Sequence, residues 1–233
     1  MPKENKTVIY ALTGGFLAWL VSFFAKGRTP AKVVTGSGGH PYPPPKNKGV
    51  PFAQSPASPI WPIDPSSKNK RKFEVAYKDI NNGRHGNQAR AFKASRGKGS
   101  RYHAGIDIYA NAGDIVRAPE AGVIVADQNF LGTIPGEDAM LIQGDSGTVV
   151  LLGEIVAESM TTHYGLKEGS RVERGQPVAI VGLTKNGSHM LHFETYTQGS
   201  TRNRSWKKSQ GPHESLRDPT EYLLRARATT GPE

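Results

Sequence analysis

The run AMLIQGDSGTVVLLGEI, residues 139–155, decides the fold class. Two short apolar stretches, 139–143 and 148–155, flank Gly144-Asp145-Ser146-Gly147. Stretches of this length, rich in β-branched and aliphatic residues and interrupted by a Gly/Asp/Ser cluster, read as two strands and a turn. Working outward, the same rhythm recurs. Residues 106–109, 115–118, 122–126, 177–181 and 190–196 read as further strands, with turn signals at Asn111-Ala112-Gly113 and Asn186-Gly187-Ser188. Residues 215–226 read as a terminal helix. The expected class is mostly β, an antiparallel sandwich or barrel-like core.

Composition divides the rest of the chain. Residues 8–24, VIYALTGGFLAWLVSFF, carry no charge and lie between Lys3 and Lys6 on one side and Lys26 and Arg28 on the other. Seventeen such residues sit at the short end of the roughly 17–25 that span a bilayer. The stretch therefore reads as an uncleaved membrane anchor (1–26), with a cleaved signal or a buried helix as alternatives. Residues 27–72 are rich in Pro and Gly, include the basic run SKNKRK at 67–72, and read as an extended linker. The folded domain is expected over 73–233.

The 233 residues hold 30 Lys and Arg against 20 Asp and Glu, a net charge of +10, and no cysteine. Disulfides, thiol catalysis and Cys-ligated zinc are excluded, so any metal must be held by His and carboxylates. The positive excess favours polyanions, whether nucleic acid, anionic lipid or cell-wall polymer. Specific nucleic-acid binding is not expected, because aromatic and basic residues do not interleave as they do in single-strand and RNA modules.

Metal chemistry is suggested by Tyr102-His103-Ala104-Gly105-Ile106-Asp107 and, far downstream, Met190-Leu191-His192-Phe193-Glu194. Two His and one Asp make a three-ligand zinc shell with a fourth position for water. An H-x-x-x-D pair is common by chance, and the surrounding residues give it weight. H-x-G-I-D-I is followed by AGDIVRAP (112–119), EAGVI (120–124), EGSRVERGQPVAIVG (168–182), LHFE (191–194) and Asp218-Pro219-x-x-Tyr222-Leu223.

In this order the motifs resemble the lysostaphin-like metallopeptidases of the M23 family, over about 120 residues. The resemblance implies one zinc held by His103, Asp107 and His192, acting as a Lewis acid in peptide hydrolysis. It also implies peptidoglycan stems or cross-bridges as substrate. Two positions depart from the family pattern. The family's H-x-H-F-E has Met190 at its first position here, with His189 beside it, and the family's Y-x-H-L is replaced by Leu151-Leu152-Gly153-Glu154-Ile155. The paired change is similar to a divergent branch reading G-E-I and M-L-H-F-E. Glu154 is then the candidate general base and His189 a second catalytic candidate. His163 reads as a loop histidine, and His40, His85 and His213 as bystanders.

The expectation is a membrane-tethered zinc endopeptidase with its catalytic domain outside the cytoplasm, either cellular or carried by a phage virion as a lysin. The alternative is a non-catalytic relative that binds peptidoglycan or regulates another cell-wall hydrolase.

Overall fold

The computed structural model describes residues 49–64, 73, 88–130, 137–183 and 189–229, all within the compact unit Ala31–Glu233. The expected anchor at 8–24, His40 and His85 lie outside the described residues. Among the described residues no helix is long and apolar enough to cross a membrane.

The described residues form thirteen strands and two α-helices, β1 (Ile63–Asp64), β2 (Ser95–Arg96), β3 (Arg101–Tyr102), β4 (Ile106–Tyr109), β5 (Ile115–Arg117), β6 (Gly122–Asn129), β7 (Glu137–Gly144), β8 (Thr148–Val156), α1 (Ser159–Tyr164), β9 (Arg171–Val172), β10 (Pro177–Ile180), β11 (Met190–Thr197), β12 (Trp206–Lys207), β13 (Leu216–Arg217) and α2 (Thr220–Thr229). The largest sheet runs β13-β11-β8-β7-β6-β9, with β4 also paired to β11. Two small sheets, β1-β5-β10 and β12-β3-β2, complete the set. Every strand pair is antiparallel.

The hairpin at the centre follows from its sequence. Gln143 pairs with Val149, and the peptide N–H of Gly147 donates to the Gly144 carbonyl across the turn. Gly147 takes φ 85°, a conformation that L side chains rarely adopt and glycine does freely. β8 is buried along both faces from Thr148 to Ile155, which explains its unbroken apolar run rather than a strict alternation. Ile106, Ile108, Met140, Leu141, Leu151, Leu152, Phe193 and Tyr196 make the heart of the core.

The structure differs from the sequence reading at several places. The helix expected at 215–226 begins at Thr220, because Asp218 caps it: its Oδ1 accepts from the Thr220 N–H (3.0 Å), and Pro219 supplies the first turn. Residues Leu216–Arg217 instead form β13 against Thr195 and Tyr196. Residues 49–64, read as spacer, are packed into the fold. Val50, Ala53, Trp61 and Ile63 are buried, and Ile63 pairs with Val116. Burial of Trp61 against the Phe73 ring, 5.6 Å between centroids, anchors a segment whose prolines had masked its apolar content. His163 lies in α1, exposed, rather than in a loop.

Candidate metal centre

β4 and β11 pair with Asp107 directly opposite His192. His103 lies just before β4, held by two backbone hydrogen bonds to residues 93–94, which precede β2, His103 N to the Ala94 carbonyl (2.8 Å) and Lys93 N to the His103 carbonyl (2.9 Å). Gly105 lets the chain pass between these residues. A Cβ there would stand 2.5 Å from the Phe193 carbonyl oxygen and 2.9 Å from His192 Nε2, so only glycine fits this close approach.

The three side chains converge on one point. His103 Nε2 lies 3.2 Å from His192 Nδ1 and 3.0 Å from Asp107 Oδ1, and His192 Nδ1 lies 2.8 Å from the same oxygen. All three are buried. Ligands about 2.05 Å from a tetrahedral zinc stand ~3.3 Å apart, so this triangle needs to open by only a few tenths of an ångström to hold one. Among the described residues these are the group able to hold a metal ion.

The surroundings fix ring orientation. His103 Nδ1 donates to the Ala91 carbonyl (2.9 Å), leaving the Nε2 lone pair inward. On His192 the outer nitrogen, Nε2, meets Glu194 Oε1 at 2.9 Å, and the Tyr196 hydroxyl donates to Glu194 Oε2. Tyr196 in turn accepts from the Arg204 N–H (2.8 Å). The outer oxygen of Asp107, Oδ2, accepts from the Arg96 guanidinium (3.0 Å). Phe130 packs its ring 5.1 Å from that of His192. Burial opposes ionisation of Asp107, yet hydrogen bonds from His103 and His192 hold it well below the usual carboxylate range. Burial also opposes charge on His192, but the hydrogen bonds to Asp107 and Glu194 outweigh it and raise the imidazole to about 10. Burial lowers His103.

Residues 101–204, which contain the whole triangle, match the sequence profile of peptidase family M23. No curated protein sequence matches the chain. Among solved structures, the catalytic domain of lysostaphin from Staphylococcus simulans is similar at 21 % identity and TM-score 0.39, over 52 % of this chain and 79 % of that one. Full-length lysostaphin from Staphylococcus simulans matches at 21 % and 0.45, over 61 % of this chain and half of that one. The prophage-encoded M23 protein EnpA from Enterococcus faecalis matches at 19 % and 0.41, over 65 % and 94 %.

The M23 departures also have a place in the fold. Met190 pairs with Tyr109, and the adjoining His189 has a buried Nδ1 with no hydrogen-bond partner among the described residues. Glu154 sits in a bulge. On β7, Asp138 pairs with Ile155 and the next residue, Ala139, with Gly153, so Glu154 is the extra residue of β8. Its φ is 62°, in the left-handed region. On the other side Gly153 pairs with His192. Glu154 Oε2 is buried without a hydrogen-bond partner among the described residues. Burial lifts its carboxyl to about 7, the attraction of His192 opposes that rise, and Asp107 and Glu137 add to it.

Sequence reading brought together the triangle but not its supports. Arg96, Glu194 and Tyr196 were missed. The LHFETY run, with Glu194 and Tyr196 at two-residue steps from His192, placed all three on one strand face and was a signal that could have found two of them. His213 bonds only locally, its Nδ1 2.7 Å from Ser215 Oγ, and His163 takes a similar contact from Thr162.

Proposed function

We propose that this chain is a zinc-dependent endopeptidase that hydrolyses peptide stems or cross-bridges of bacterial peptidoglycan, with His103, Asp107 and His192 as the zinc ligands and Glu154 as the proton-transfer group. The observation that carries the reading is the buried triangle of two imidazole nitrogens and one carboxylate oxygen inside an M23 segment. Zinc bound there would supply Lewis acidity toward a peptide carbonyl.

The chain's own residues do the rest. Asp107 and Glu194 orient His192, and the Ala91 carbonyl orients His103, so the donors are set before a ligand arrives. Glu154 takes a proton from the attacking water and passes it to the departing amine. A carboxyl near 7 suits both directions of transfer at neutral pH. The bulge supports this role. A left-handed glutamate costs the fold about 1–2 kcal/mol that glycine would not, and such outliers cluster at functional sites. His189 is the second candidate for proton transfer. Residues 8–24 are proposed to tether the enzyme to a membrane with the catalytic domain outside the cytoplasm, in a bacterial envelope or a phage virion.

Digestion of purified sacculi by the zinc-loaded full chain, followed by mass analysis of released fragments, tests the reading. Wild type is expected to generate new amino termini, and Glu154→Gln to retain zinc while losing at least ~100-fold in rate. A zinc-loaded wild type that releases nothing defeats the enzymatic reading in favour of a peptidoglycan-binding or regulatory relative.

A further inference from the structure

The small sheet β12-β3-β2 joins two segments of one charge sign. Residues 88–104 hold five Lys and Arg, residues 198–212 hold four, and neither segment contains an Asp or Glu. With those removed from the total of 30, 21 Lys and Arg face 20 Asp and Glu in the rest of the chain. Residues 1–72 carry a similar excess, 11 Lys and Arg against two Asp and Glu, whereas residues 105–197, between the two segments, hold five against twelve; within the folded domain the positive charge is therefore concentrated in these two segments, which the sheet joins.

Register sharpens the point. Arg101 pairs with Arg96 on one side and with Lys207 on the other. Three cations thus stand in one cross-strand row, at strand spacings of about 4.8 Å. Like charges directly opposite one another weaken a sheet, so the row is a feature that folding alone disfavours. Lys98, Arg101, Lys207 and Lys208 are exposed. The neighbouring register, Ser95, Tyr102 and Trp206, turns its rings away from such use: Trp206 is buried, and Tyr102 is half-buried beneath Lys208, 4.6 Å from its ring.

We propose that this row is a binding surface for a phosphodiester-linked anionic polymer of the bacterial wall, which it draws across the metal centre. The identity of the polymer rests on the peptidoglycan reading above; the surface itself does not. Charge complementarity sets the class, and the Arg fork suits phosphate oxygens. No exposed ring is available here for base stacking, and the exposed large hydrophobics of the described residues, Val156 and Leu183, lie on other elements, so neither a nucleobase nor a lipid tail finds a partner on this sheet. β3 runs straight into His103, and Arg96 bonds Asp107, so a strand bound along the row lies beside the proposed zinc ligands.

The test is capture of the full chain, in chelator so that cleavage plays no part, by walls that carry a phosphodiester polymer and by the same walls after its chemical removal. With about four phosphates neutralised, at a slope near −0.7 each as for single strands, affinity is expected to fall roughly 50-fold between about 50 and 200 mM salt. The triple neutralisation Lys98→Gln, Arg101→Gln and Lys207→Gln is expected to lose at least ~10-fold in capture and most of that salt slope. A second triple variant, Lys167→Gln, Arg171→Gln and Arg174→Gln, removes the same charge elsewhere and is expected to bind like wild type. Circular dichroism and unfolding midpoints confirm that both variants fold. Equal weakening by the two triple variants overturns the proposal, as does equal capture by stripped walls. Duplex DNA or anionic vesicles that bind as tightly as intact walls, and lose as much with the first triple variant, also overturn it. Capture of the chelated chain together with no fragment release by the zinc-loaded chain would defeat the endopeptidase reading and leave this surface standing.

Discussion

Replacing Glu154 by glutamine removes a charge from a place where the fold opposes it. The carboxyl rises from 4.5 to about 7, chiefly through burial. Because the folded state raises this pKa, it holds the proton more tightly than the unfolded chain does. The resulting contribution to stability is present below 4.5 and is lost as pH climbs through 7. At roughly 1.4 kcal/mol per pH unit between those values, ionisation destabilises the native state by about 3 kcal/mol at about pH 8 and by under ~1 at about pH 5. Glutamine keeps the shape and cannot ionise. The chelated Glu154→Gln protein is therefore expected to unfold later than wild type near pH 8, by roughly 6–12 °C for a domain of this size, and by little near pH 5. Glu154→Gly separates the second cost. It removes the left-handed strain as well, adding about 1 kcal/mol at both pH values. Thermal unfolding of the three chelated proteins at two pH values is the assay. A gain of equal size at both, or a loss near pH 8, would refute the account of Glu154 as a desolvated carboxylate.

Three further outcomes are expected. In the zinc-free protein His192 is held protonated, at about 10, by Asp107 and Glu194, so zinc binding near pH 8 should release about one proton. Calorimetric heats that do not vary with buffer ionisation enthalpy would contradict this. Glu194→Gln removes the charge behind His192 and should weaken zinc about 10–100-fold in competition with a chromophoric chelator while the fold persists; unchanged affinity would remove Glu194 from the site. Gly105→Ala drives a Cβ onto the Phe193 carbonyl and His192 Nε2, and should cost at least ~2 kcal/mol and abolish zinc retention. A stable, zinc-replete variant would show that the approach is looser than described.

Much of the fold was legible in the sequence because burial writes itself locally. Short apolar runs bounded by Gly, Asn and Asp declared the longer strands of the large sheet, though not its two-residue edges β9 and β13, and the H-x-G-I-D and L-H-F-E runs declared the residues that meet in the triangle. Short strands such as Arg101–Tyr102 and Trp206–Lys207 were missed, because two residues carry no period and their pairing is decided by partners about a hundred positions away. Trp61 and Ile63 were hidden among prolines for a related reason: their burial depends on β5 and the Phe73 ring rather than on their neighbours in sequence.

Residue type and order by themselves determined the antiparallel β class, the absence of thiol chemistry, and the His, Asp and His that any metal would have to use. Tertiary structure alone decided how those groups face one another. A strand's register belongs to two strands at once, so only folding could set Asp107 opposite His192 and line Arg96, Arg101 and Lys207 into one row. The same holds for Glu154: a bulge is a mismatch in residue count between partners, and neither partner's sequence contains it.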